Sequence, residues 1–163
     1  MEPGIHPAEG AGFSVPLVNY YTETGLSWGC PQMGDSDATV SYWVGMADYD
    51  LKTAQAMLAT ERYLYVGFMC HQTIEKLLKA YYVHAAGDTP PYTHNLSRLA
   101  NLSGVYAELS DNQKDFLDML EPMNIEARYP TDKDMILESL TEERCKMLIG
   151  KTKELSEWIK RQP

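Results

Sequence analysis

The sequence has no run of about 18 apolar residues, so no transmembrane helix is expected. The first thirty residues have neither a basic start nor a continuous apolar stretch, which argues against a secretory signal peptide. Cysteine is scarce. Cys30, Cys70 and Cys145 stand far apart, with no paired zinc-binding motif and no spacing of a disulfide framework. A reducing cytoplasm is therefore the expected compartment. No Gly-x-x-x-x-Gly-Lys phosphate loop occurs, and no Ser-His-acid or Cys-His active site has a local signature. Residues 1–38 contain no Lys and no Arg, yet carry Glu2, Glu9, Glu23, Asp35 and Asp37.

What remains is an ordinary globular composition. Of the 163 residues, 44% are hydrophobic and 23% charged, which excludes disorder or a collagen-like architecture for the whole chain and suits one domain. The net charge is −9, of which residues 39–163 hold −4 (14 basic against 18 acidic side chains). A surface of that sign repels phosphates on average, so broad nucleic-acid binding is disfavoured, and RNA with it.

Two regions differ in kind. Residues 1–38 hold six of the 11 glycines and four of the nine prolines, a density no helix interior tolerates. They include the β-prone run Phe13 to Tyr21, a turn at Thr22-Glu23-Thr24-Gly25 and a return through Leu26-Ser27-Trp28. This reads as an irregular arm that lies on its own core or on a partner, because disordered tails are poor in aromatics.

Residues 39–163 have helical periodicity. Trp43, Ala47, Leu51, Ala54 and Leu58 form the stripe of a first helix behind caps at Asp35–Asp37. A second, about Tyr63 to Ala86, carries Gly67, Cys70, His71, Ile74, Leu77, Leu78, Tyr81 and Ala85, and Gly87 with Pro90-Pro91 ends it. Thr93 or Asn95 caps a short helix closed by Ser103-Gly104. Ser110 with Gln113 makes a capping box for the next, which stops near Leu120 because Pro122 lacks a donor. A last helix starts at Thr141, with Cys145, Leu148, Ile149, Thr152, Leu155 and Ile159 on its face and Lys160 at its basic end. The expected fold is all-α, a four- to five-helix antiparallel bundle with an irregular Gly/Pro-rich N-terminal arm.

The most specific pattern is central. Gln72-Thr73-Ile74-Glu75-Lys76-Leu77-Leu78-Lys79-Ala80 leads through a Pro-containing loop to Thr93-His94-Asn95-Leu96, with Asp50-Leu51-Lys52-Thr53-Ala54 upstream and Ala127-Arg128-Tyr129-Pro130 downstream. In this order they resemble the HEPN domain family over about residues 40–160. The resemblance implies a helical bundle, commonly a homodimer with a cleft between protomers. It also implies a nucleotide or a nucleotidyltransferase-like protein as partner, or a toxin–antitoxin-type system.

Many members are ribonucleases that place a His after an Arg with four to six residues between them. Here the corresponding positions are Gly67, Phe68 and Met69 after Arg62, and Ser103, Gly104 and Val105 after Arg98. They are Lys133, Asp134 and Met135 after Arg128, and Ile149, Gly150 and Lys151 after Arg144. None is histidine. The expected function is therefore a non-catalytic, homodimeric HEPN-like module that binds a nucleotide or a protein partner. The competing readings are a diverged ribonuclease or toxin using Arg128, His94 and Tyr129, and a purely structural oligomer.

Candidate ligand-binding residues are Lys76, Lys79, His94, Arg128 and Tyr129; no catalytic residue, metal ligand or cofactor is expected. Lys76 and Lys79 share a helix face, either solvated with one Glu75–Lys79 ion pair or beside an anionic ligand. Arg128 would grip an anion bidentately, with Tyr129 stacking or bonding beside it. His94, at a helix start, either caps it, bonds a backbone carbonyl and ties the loop to the second helix, or completes the polar pocket. Cys70 and His71 point about 100° apart on a helix, which argues against shared zinc ligation.

Overall fold

The computed structural model of the chain describes residues 36–126 and 138–162. Among them every regular element is helical. The order is α1 (Ser36–Ala59), α2 (Tyr63–Ala86), α3 (Leu96–Ser103), a 3-10 turn (Val105–Glu108), α4 (Asp111–Leu120), α5 (Met123–Glu126) and α6 (Glu142–Lys160). The expected arm, together with Arg128 and Tyr129, lies outside the described residues.

The boundaries follow from local chemistry. Gly87 ends α2 in a left-handed conformation (φ 64°), and its N–H reaches the Val83 carbonyl. The Asn95 side chain accepts from the Arg98 N–H at 2.6 Å and so caps α3. At α4, Ser110 and Gln113 form the reciprocal capping box. Thr141 accepts from the Arg144 N–H at 3.2 Å and opens α6. The 3-10 turn and the single turn of α5 had no separate signal in the sequence; Pro122 divides α5 from α4.

α2 is the axis of the fold. It packs on α1, α3, α4, α5 and α6, so it has no fully solvated side. Beyond the expected stripe, Val66, Thr73, Glu75, Lys79, Ala80 and Val83 are also buried. The solvated alternative for the lysine face therefore fails at Lys79, and Ala85, expected on the core stripe, is exposed instead. On α1 the buried line runs through Val40, Val44, Ala47, Asp50 and Ala54, while Trp43, Leu51 and Leu58 flank it, partly buried against the core. Ile74, Leu77, Leu78, Leu96, Leu99, Leu117, Leu120, Leu148 and Ile159 are sealed from solvent. Truncating any one to Ala removes about 2–5 kcal/mol.

Two details fix the packing around α2. Glu61 adopts φ 57° in the turn from α1, a conformation that costs a side-chain-bearing residue about 1 kcal/mol. At Gly67 a Cβ would stand 2.8 Å from Met123 Sδ, so the absent side chain is what lets α5 approach α2 closely.

Candidate functional site: a charged node on the central helix

The site begins with helical spacing. Residues 72, 75, 76 and 79 fall on adjoining strips of α2, and in this fold each meets a different neighbour. Gln72 Nε2 donates to Asn124 Oδ1 at 3.2 Å, tying α2 to α5. Lys76 Nζ pairs with Asp50 Oδ2 of α1. Lys79 Nζ pairs with Glu75 Oε1 at 2.7 Å, within α2. The same ammonium lies 5.4 Å from the centre of the Trp43 ring, a cation–π contact that covers it from the α1 side.

Glu75 is the hub. Its side chain is only 4% exposed. Both carboxylate oxygens lie 3.0–3.1 Å from His94 Nδ1, and His71 Nδ1 stands 3.7 Å from Oε2. Burial by itself raises the Glu75 pKa, but Lys79 and His94 together more than offset it and hold the carboxyl below its ordinary value. An ionised carboxylate only accepts, so the shared proton sits on His94 Nδ1. His94 therefore bonds a side chain of α2, and the loop tie anticipated from its position runs through that carboxylate rather than through a backbone carbonyl.

A second carboxylate stands at the same corner. Glu121, at the end of α4, accepts the Leu96 N–H with both oxygens (3.0 and 3.2 Å) and so caps α3 from outside. Burial raises its pKa above the usual range despite that bond, and Asp118 and Glu75 add to the rise. Asp50 is raised too: burial outweighs its pairing with Lys76.

The rings around the node are more exposed than its charges. Tyr92 is 99% exposed, and its ring centroid is 6.0 Å from that of His94, edge-on. Tyr42 packs edge-on to Trp43 at 5.8 Å.

The structure thus brings Lys79 and His94 together on Glu75, sets Lys76 one turn away on Asp50, and does not describe Arg128 or Tyr129. Both lysines have buried or nearly buried carboxylate partners. Asp50 stands at the acidic position of the sequence pattern, which was its only signal as a partner for Lys76. Nothing local in the sequence marks Glu121. Among the described residues no group of three or more His, Cys, Asp or Glu is arranged to hold a metal ion. The buried thiols of Cys70 and Cys145 are pushed up by burial, to about 12 and about 11, which keeps them protonated and unreactive near neutrality.

The HEPN domain family model matches residues 40–162, which takes in every element described above apart from the first four residues of α1. The chain belongs to the HEPN domain family. No curated protein and no solved structure matches it. Within this HEPN fold no helix among the described residues is long and apolar enough to cross a membrane.

Proposed function

We propose that this HEPN chain is a non-catalytic association module, which pairs with a second copy of itself and binds a protein partner, rather than a nuclease or a nucleotide receptor. One observation carries the reading: the two lysines best placed for a phosphate are already matched, Lys76 by Asp50 and Lys79 by Glu75. A phosphate arriving at either would have to displace a carboxylate, and the remaining acid would repel it. The sequence adds that no arginine is followed by a histidine with four to six residues between them. Among the described residues His71 is sealed from solvent, which keeps it from proton transfer to RNA, and the Nδ1 of His94 is held by Glu75.

A protein surface fits better what the node leaves outward, namely aromatic rings with polar edges; Tyr and Trp supply large contact area at low entropic cost. A nucleotidyltransferase-like or antitoxin-type protein, as the family resemblance implies, is the partner of choice.

The reading is tested on the purified full chain in three measurements. Sedimentation at micromolar concentration is expected to give a dimer. Melting curves with a panel of nucleoside mono-, di- and triphosphates are expected to coincide with the unliganded curve, because only a ligand of the native state raises stability. Incubation with cellular RNA is expected to leave it intact. A reproducible melting shift with any nucleotide overturns the reading in favour of nucleotide binding. RNA cleavage lost on His94→Ala or Arg128→Ala overturns it in favour of a nuclease.

A further inference from the structure

α1 presents one regular line to solvent. Gly45, Tyr49, Lys52, Ala56 and Ala59 are all exposed, and half-buried Tyr42 continues the line toward the start of the helix. From Tyr42 the spacings are 3, 4, 3, 4 and 3, a coiled-coil period. The line therefore keeps to one side of α1 for about 25 Å, opposite the buried Val40, Ala47 and Ala54.

Two features of this line have no cause within the described part of the chain. Glycine is a poor helix former, yet Gly45 stands in mid-helix where a Cβ would meet nothing within 4 Å. Gly67, by contrast, is required by Met123. One turn beyond Gly45, Tyr49 leaves 58% of its surface exposed. A notch beside a protruding ring is the relief of a helix that receives another helix closely.

We infer that two copies of the chain pair along this line, α1 against α1 and antiparallel. The line's fit to its own reverse selects that occupant. A two-fold axis between Asp50 and Leu51 sets Tyr42 opposite Ala59 of the second copy, Gly45 opposite its Ala56 and Tyr49 opposite its Lys52. The same three contacts recur beyond the axis with the roles exchanged. Each ring thus meets a small residue or a cation, and the glycine–alanine layers let the two axes approach to about 8 Å.

Charge agrees with this register. The line holds no acid, and each Lys52 ammonium reaches the second copy's Tyr49 ring, as Lys79 does Trp43 within the chain. Beside the line, Asp48 is already paired with Lys160 and faces the second copy's Gln55, so no like charges are opposed there. A parallel pair would instead set Lys52 against Lys52 and Gly45 against Gly45, repelling at one layer and leaving a void at the other.

The inference deepens the proposed function and rests on its claim that the chain pairs with a second copy; it adds the face and the register. Sedimentation of the full chain across micromolar concentrations reads the association. Gly45→Gln fills the notch with a better helix former. It is expected to raise the melting temperature of the dilute monomer yet weaken association about tenfold. Lys52→Glu, which sets an acid against Tyr49, is expected to weaken association similarly in a folded chain. Gly150→Gln, at an equally open site on α6, is expected to leave association unchanged.

Register is read from Ala59→Cys in a Cys30→Ser background, where the other two thiols are buried and pushed up to about 12 and about 11. A benzophenone maleimide on residue 59 is expected to give adducts between isotopically light and heavy copies at residues 39–46. A dimer untouched by Gly45→Gln and Lys52→Glu, or broken equally by Gly150→Gln, overturns the inference and leaves the pairing standing. So do adducts near residue 59, adducts outside α1, or a dimer that gives none. A chain that stays monomeric at every concentration overturns both.

Discussion

His94 Nδ1, 19 residues along the sequence from Glu75, donates to both oxygens of the Glu75 carboxylate at 3.0–3.1 Å. That contact fastens the loop after α2 to the middle of α2 itself, and Lys79 completes the charge balance on its other side.

Removing the hub is expected to be costly. Glu75→Ala leaves Lys79 buried without its carboxylate and should lose about 3 kcal/mol of stability in denaturant melts. Because the Glu75 pKa is lowered on folding, its contribution is fully present above the ordinary carboxylate range and is lost as pH falls through the folded-state value. Glu75→Gln should therefore be most destabilising near neutrality and converge with the parent chain in acid. A difference that does not change with pH would show that Glu75 acts through packing rather than charge.

Glu121 should behave with the opposite sign. Its pKa is raised on folding, so its stabilising contribution is full below the ordinary carboxylate range and fades as pH rises through the folded-state value. Glu121→Gln keeps an acceptor for the Leu96 N–H and removes the charge. The variant is expected to melt a few degrees higher than the parent at pH 7, with the gain vanishing toward pH 4. A lower melting temperature at pH 7 would mean that the charge at the α3 terminus outweighs its burial.

The Asp50–Lys76 pair is a candidate for replacement as a unit. Asp50→Leu or Lys76→Met alone strands a charge and should cost about 1 kcal/mol and about 3 kcal/mol respectively, the stranded lysine being better placed to reach water than the stranded carboxylate. The double variant should recover most of the loss. A thermodynamic cycle showing simple additivity would contradict direct coupling of the two.

Two backbone positions offer cleaner tests. Glu61→Gly relieves the left-handed conformation and is expected to stabilise the chain by about 0.5–1 kcal/mol in chemical melts.

Gly67→Val should destabilise by about 2 kcal/mol, because the new side chain meets Met123, and Met123→Ala in the same chain should restore part of the loss. Absence of that rescue would place the strain elsewhere than at α5.

The helices and most of their ends were legible because they rest on local rules: capping side chains at Asn95, Ser110 and Thr141, a left-handed Gly87, and apolar residues every three or four positions. The site was legible only in part. Spacing places Glu75, Lys76 and Lys79 on neighbouring strips, but whether a lysine meets water, a ligand or an acid depends on what packs opposite. Here that is decided by Asp50 and Trp43 from α1 and by His94 from the loop, contacts separated by 19 to 36 residues. Glu121 illustrates the limit: its bond to the Leu96 N–H spans 25 residues, and no local pattern announces it.

The enclosure of Glu75 and Lys79 carries one more consequence. Dissolved ions screen charges that water reaches, within about 8 Å at physiological ionic strength, and act weakly on pairs sealed in protein. The peripheral bridges Lys146–Glu142 and Lys160–Asp48 will fade as sodium chloride is added, while the central pair keeps its hold. Brine should thus loosen the bundle from its rim inward and leave the middle of its central helix the last part to respond.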